Sequence, residues 1–167
     1  KGFIVGHLRM HEWCDGIQTR KDVTIAFTHL QNAEVGFSLN VGKKTVKKQM
    51  SQLMTKVSME ASKCDDNKND SFVVIGDFNM EPREFDMTSM PPNVAIISPS
   101  VATTKDTSQI LDYVVCSRNV AHSISVAVID DLHLKYDVVC DNPSDHTAIL
   151  VSILPQTQAV ITSDDDQ

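Results

Sequence analysis

A long amphipathic stretch followed by a short, wholly apolar one limits the architectures open to this chain. From Lys43 to about Ala61, the residues Val46, Met50, Leu53, Met54 and Val57 recur at spacings of three and four, which is one apolar stripe of a helix. A polar loop over residues 62–70 then leads into Phe72-Val73-Val74-Ile75, expected as a buried strand over residues 71–76. Helix, short loop, buried strand is an α/β arrangement. Upstream, residues 2–10 and 22–30 are apolar, β-branched runs separated by a polar stretch with the turn signal Asp15-Gly16, and they predict a hairpin. Within the second run Val23, Ile25 and Phe27 share a face. Residues 31–42 read as a loop. Pro82 can open a short helix over 82–88, which Met90-Pro91-Pro92-Asn93 breaks. Strand-like runs follow at 94–97, 110–116, 123–129 and 147–154, the last ended by Pro155. The fold class expected is α/β (α+β in some schemes): a mostly antiparallel mixed sheet faced by one long helix. It is expected as a single domain over residues 1–155, with the acidic stretch 156–167 as a disordered tail.

With 167 residues the chain has room for one domain and not comfortably for two. No apolar run is long enough to cross a bilayer, and the first residues are too short and polar for a secretory signal. The chain opens in the middle of a strand pattern, so a leader could lie upstream. The formal net charge is −7, whereas a protein that grips nucleic acid through phosphates is usually basic. Metal ions or a local basic patch would have to offset the repulsion. One patch exists, Lys43, Lys44, Lys47, Lys48 and Lys56, and as a solvated helix face it needs no partner. Cys14, Cys64, Cys116 and Cys140 show neither a C-x-x-C pair nor zinc spacing. Cys116 and Cys140 sit in apolar runs, as small core residues do. This usage favours reduced thiols and an intracellular compartment, with secretion left open.

Four clusters carry chemistry. Gly76-Asp77-Phe78-Asn79 follows the apolar run of 72–75: the glycine permits a sharp turn, Asp77 can bind a metal or orient a water, and Asn79 offers an uncharged donor to a phosphate oxygen. Taken alone it is equally an Asx turn ending a strand. Ser144-Asp145-His146 precedes the apolar run Ala148-Ile149-Leu150-Val151, placing a hard oxygen ligand beside a group that titrates near neutrality; alone, it is equally a surface turn. Asp112, inside Ile110-Leu111-Asp112-Tyr113-Val114-Val115, is costly to bury without a cation, a histidine or water at a cleft; the alternative is an exposed position on a strand edge. His29 ends the strand-like run Val23–Leu30; a lone histidine is more often structural. What the four share is placement, polar chemistry at the end of or within a hydrophobic strand. There is no G-x-S-x-G nucleophile and no cysteine in a nucleophile context.

The order His29, Gly76-Asp77-Phe78-Asn79, Leu111-Asp112-Tyr113, Ser144-Asp145-His146 resembles the endonuclease/exonuclease/phosphatase superfamily, the deoxyribonuclease I-like fold, from about residue 3 to residue 154. The segments Gly76–Pro82, Ile96-Ile97-Ser98-Pro99, Ala102-Thr103-Thr104 and Ser108–Tyr113 look most like the nuclease subunit of cytolethal distending toxins. Thr28-His29-Leu30-Gln31 is more like sphingomyelinases. The resemblance implies metal-assisted, in-line attack of water on a phosphodiester, first of all nucleic acid, with sphingomyelin or phosphoinositide as further substrates. It implies Asp145 as a ligand of Mg²⁺ (Mn²⁺ or Ca²⁺ as substitutes), and His146, polarised by Asp112, as general base or charge stabiliser. Asp77 would orient the attacking water, and Asn79 and His29 would hold the non-bridging oxygens and the leaving side.

One departure bears on activity. The superfamily folds as two similar α/β halves with packed sheets, a four-layer sandwich, and this chain resembles the later half. The family's metal-binding glutamate, in a Gln-Glu motif on an early strand, has no counterpart before His29; His11-Glu12-Trp13 does not resemble it. The first half would lie elsewhere, on a missing segment or a second chain. Without it, the chain would be a non-catalytic scaffold or subunit interface.

Overall fold

The computed structural model describes residues 2–14, 17–30, 39–64, 71–85, 87, 90–105, 107–129 and 145–154. The expected Asp15-Gly16 turn, most of the 31–42 and 62–70 loops, residues 130–144 and the 156–167 tail lie outside the described residues. Strands β1 (Gly2–Cys14) and β2 (Ile17–His29) form the predicted hairpin and run further toward its turn than their apolar patterns suggest. Helix α1 spans Leu39–Cys64, starting four residues before the predicted Lys43. Strand β3 (Phe72–Asp77) follows, then a 3-10 turn at Pro82–Glu84 within the stretch 82–88 expected as a helix, of which residues 86 and 88 lie outside the described residues. Strand β4 (Val94–Ile97), strand β5 (Asp112–Ser117), the one-turn helix α2 (Arg118–Ala121), strand β6 (Ile124–Ile129) and strand β7 (Ala148–Ile153) complete the order.

The main sheet has the order β1-β2-β3-β5-β4. Only the β2–β3 pairing is parallel, because α1 carries the chain back between them; β1–β2, β3–β5 and β4–β5 are antiparallel. The sheet is thus mixed and mostly antiparallel, as expected. Strands β6 and β7 form a separate antiparallel pair.

Alternation along the strands divides the core in two. Ala26, Val74, Tyr113, Val115 and Val94 point toward α1, where they meet Val46, Met50, Leu53, Met54 and Val57. All five stripe residues of the helix are at most 1% exposed. The lysines lie off the stripe: Lys43 bonds Glu84 at 2.8 Å, Lys56 bonds Glu60 at 2.6 Å, and Lys44, Lys47 and Lys48 are exposed. That is a solvated face. On the opposite side of the sheet, Val23, Ile25, Val73, Ile75, Val114 and Cys116 meet Ile124, Val126, Val151 and Ile153 of the small sheet. Burial pushes the Cys116 thiol up to about 11, so it stays protonated and inert, in keeping with a core role. Among the described residues, no helix is long and apolar enough to cross a membrane.

Candidate functional site

The site grows out of strand register. His29 is the partner of Asp77 across the parallel β2–β3 pair, and Asp77 is the partner of Asp112 across the antiparallel β3–β5 pair. Three chemistry-bearing residues therefore form one row at one edge of the sheet. All three share parity with Val23, Val73 and Val114, so they project from the face opposite α1. His146 reaches the same row from the segment leading into β7, where it forms an isolated antiparallel bridge with Thr104.

The end of β3 is held tightly. Gly76 has φ 153°, and a Cβ there would lie 1.9 Å from the carbonyl oxygen of Thr28, so only glycine lets β2 come this close. Phe78 is fully buried and stacks on Tyr113 with ring centroids 4.3 Å apart, and Phe85 meets both rings edge-on. The Tyr113 hydroxyl donates to the Met80 carbonyl at 2.9 Å, pinning the turn that follows. With Phe78 anchored inward, Asn79 takes a left-handed conformation (φ 49°). Its backbone N–H donates to Asp77 Oδ1 at 2.7 Å, and its side-chain amide donates to Asp77 Oδ2 at 3.0 Å and to the Leu30 carbonyl at 2.9 Å. The Asx turn that the sequence offered as an alternative is present, and it belongs to the site. Asn79 is a brace for Asp77.

Around that brace, His146 Nδ1 lies 2.7 Å from Asp112 Oδ2, and His146 Nε2 lies 4.0 Å from Asp77 Oδ2. On the other side His29 Nε2 lies 3.4 Å from the same Asp77 oxygen. Asp77, Asp112 and His146 are largely sheltered, at 15–25% side-chain exposure, whereas His29 is 59% exposed. His29 therefore sits at the rim, where an incoming group would meet it first.

Burial raises the Asp77 pKa above the ordinary carboxylate value; the Asn79 backbone N–H opposes this, the Asp112 charge adds to it, and His146 and His29 counter it. For His146, burial works against the charged form, yet its hydrogen bond to Asp112 and the charges of Asp112, Asp77 and Asp145 outweigh this and raise its pKa.

Asp77, Asp112 and His146 each offer a ligand atom, and these atoms lie within 4.8 Å of one another. Two carboxylates and an imidazole suit a divalent cation. Asp145, the ligand expected from sequence, is exposed and stands beside His146 outside that group; its backbone carbonyl accepts from the Lys105 N–H at 2.9 Å. The five residues expected to catalyse are thus brought to one sheet edge. Thr103, within the Ala102-Thr103-Thr104 segment of the resemblance, is fully buried and bonded to the Asp112 N–H, and no charge or spacing signal in the sequence points to a role for it.

No family model matches the chain, and no curated protein matches it. Solved structures do. Beta toxin from Staphylococcus aureus, an F277A, P278A mutant with bound magnesium ions, superposes with a TM-score of 0.59 at 17% identity, over 93% of this chain and 58% of the toxin chain. Sphingomyelinase C from Streptomyces griseocarneus gives 0.54 at 15% identity, over 88% and 56%. CdtB, the biologically active subunit of cytolethal distending toxin, gives 0.50 at 20% identity, over 78% and 48%. The chain therefore has the deoxyribonuclease I-like fold, and it spans about half the length of these structures.

Proposed function

We propose that this protein hydrolyses phosphodiesters with the help of a divalent cation, Mg²⁺ first, and that its substrate is nucleic acid. The observation that carries the reading is the convergence of His29, Asp77, Asn79, Asp112 and His146 on one sheet edge. Such a set can hold an anion, orient a water and move a proton within a few ångströms. His146 donates through Nδ1 to Asp112, which directs Nε2 toward Asp77 and the reacting phosphate. Asp77, braced by Asn79, orients the attacking water. His29 at the rim contacts a non-bridging oxygen. Asp77 and Asp112, which offer ligand atoms close to His146, would hold the cation, with Asp145 beside His146 as the further carboxylate that the family resemblance implies. The cation would supply charge neutralisation at phosphorus and locally offset the chain's −7 charge.

The preference for nucleic acid over sphingomyelin or phosphoinositide rests on the likeness of Gly76–Pro82 and Ser108–Tyr113 to a toxin nuclease. The test is cleavage of supercoiled plasmid, sphingomyelin vesicles and a phosphoinositide, each with Mg²⁺, with EDTA, and with H146A. Plasmid nicking that needs Mg²⁺ and is lost in H146A supports the proposal. Turnover of none of the three above the H146A level overturns it.

A second reading has its own observation. Ile4 is 75% exposed and Phe27 56% exposed, and they are cross-strand partners on the face that carries the site. The chain also spans about half of the structures it resembles. We infer a complementary half, in the same polypeptide or another, that covers this apolar strip and brings a further carboxylate to the cation. Cleavage that appears only when a second polypeptide is supplied would favour this reading over self-sufficient catalysis.

A further inference from the structure

We propose that the Thr103 hydroxyl is a positioning residue for the reaction: it sets the Asp112 carboxylate against His146. The inference deepens the reading above, and its spectroscopic arm stands without it. Thr103 is 0% exposed, and its Oγ1 accepts two backbone hydrogen bonds, from the Leu111 N–H at 2.9 Å and the Asp112 N–H at 3.1 Å. Asp112 is the first residue of β5, so its N–H lies where the ladder with β3 begins, and the Thr103 hydroxyl extends the order beyond it.

The same residue holds the other partner. The Thr103 carbonyl accepts from the Thr147 N–H at 2.8 Å, Thr104 bridges His146, and the Lys105 N–H donates to the Asp145 carbonyl at 2.9 Å. Residues 103–105 thus act as a two-sided clip. One side grips the backbone at 111–112 through a side-chain oxygen; the other grips 145–147 through backbone pairing. The clip is closed on itself by a tight turn: the Thr103 and Thr104 N–H groups both donate to the Gln109 carbonyl at 2.9 and 3.1 Å, the Gln109 N–H donates to Thr104 Oγ1 at 2.8 Å, and Ser108 is left-handed (φ 54°). The Asp112–His146 contact of 2.7 Å joins two segments that are 34 residues apart in sequence, and a shift of 1 Å in either would break it. Within the described residues, Thr103 is hydrogen-bonded to the backbone on both sides of that contact.

A buried threonine that only filled space would tolerate valine, which has nearly the same shape but no acceptor. T103V leaves two buried N–H groups without their oxygen, and β5 must move to find another. T103S keeps the oxygen and drops a methyl. The experiment follows the proton between His146 Nδ1 and Asp112 by its downfield ¹H resonance in metal-free protein, with V57A as a control that loosens the far, helix-side core. We expect the resonance in wild type, T103S and V57A and its loss in T103V. With Mg²⁺ and substrate, kcat in T103V falls by about 10- to 100-fold with KM nearly unchanged, and T103S restores most of it. A folded T103V that keeps the resonance overturns the proposal. If T103V does not fold, T103A decides: loss of the resonance in folded T103A while T103S retains it supports the hydroxyl as the positioning group, and a retained resonance in folded T103A overturns it. If the resonance behaves as expected while no variant, wild type included, turns over substrate, the positioning role stands and the proposed activity falls.

Discussion

The two faces of the five-stranded sheet are built from the same strands and do different work. Toward α1, Ala26, Val74 and Val115 are fully buried, and Leu53 and Val57 of the helix close over them with no exposed surface. On the other face, Val73, Val114 and Cys116 are as deeply buried under β6 and β7, but the cover stops short. Beyond it lie the polar row of His29, Asp77 and Asp112 at one edge and the exposed Ile4–Phe27 pair toward β1. One face spends nearly every position on packing. The other leaves its edge polar and accessible, with carboxylates whose mutual repulsion a well-packed protein would avoid. Stability and chemistry are thus separated across the thickness of a single sheet, and substitutions on the two faces should separate them in measurement.

The largest expected effect is on rate. H146A should lower phosphodiester turnover by about 10²- to 10⁴-fold, the usual contribution of a positioned acid–base group. Its urea midpoint should fall less than that of a core truncation, because the ring is partly exposed and packs in neither core, and the loss should be smallest at high pH, where the imidazolium–Asp112 pairing no longer contributes. The contrasting substitution is L53A on the helix face: a stability loss of about 2–5 kcal/mol by urea titration, with kcat of the protein that remains folded little changed. If L53A reduced kcat as H146A does, the two faces would not be independent and the separation argued above would fail. G76A belongs to neither class. Its Cβ would strike the Thr28 carbonyl at 1.9 Å, so β2 and β3 must part where Asp77 is held, and both stability and turnover should fall.

Much of this separation was legible in the sequence because alternation and helical spacing report which face a residue takes. The Val46–Val57 stripe predicted the helix and its buried side, and the strand ends predicted where the polar residues would emerge. Placing His29, Asp77 and Asp112 in one row required register, which short apolar runs leave unspecified. The early start of α1 at Leu39 and the 3-10 form of Pro82–Glu84, where an α-helix was expected to open, have local causes. Neither Asn40 nor Gly42 stops a helix already supported by tertiary packing, while the Phe85 ring is drawn into the aromatic cluster with Phe78 and Tyr113. The role of Thr103, though not the segment that holds it, stayed unread for a different reason: its part lies in accepting backbone hydrogen bonds, and a threonine in a loop gives no sign of that.

A pH titration sharpens the comparison further. The raised His146 pKa contributes stability that is fully present below the ordinary imidazole value of 6.5 and is lost as pH rises through the higher folded-state value. In metal-free protein the urea midpoint should therefore decline as pH rises from the ordinary imidazole value of 6.5 through the higher folded-state value. D112N removes the hydrogen-bonding carboxylate and the main opposing charge, so its decline should be shallower. L53A, acting on the other face, should shift the whole curve down and leave its slope unchanged. A D112N slope equal to that of wild type would mean that the Asp112–His146 contact does not govern the imidazole.

The smallest expected effect concerns the bare strip. Burying a phenylalanine contributes about 1.5–3 kcal/mol, and Phe27 leaves 56% of its surface outside that gain. F27S should therefore lower the urea midpoint by the equivalent of only about 1 kcal/mol, while lowering the binding of a hydrophobic dye. Ile4, its cross-strand partner, should behave alike, and the double variant should lose most of the dye signal, because the two side chains form one continuous patch. A loss on F27S approaching that of L53A would show that the strip is covered in solution by something well packed against it. The site-bearing face would then be as closed as the helix face, with access to Asp77 and His146 confined to the sheet edge.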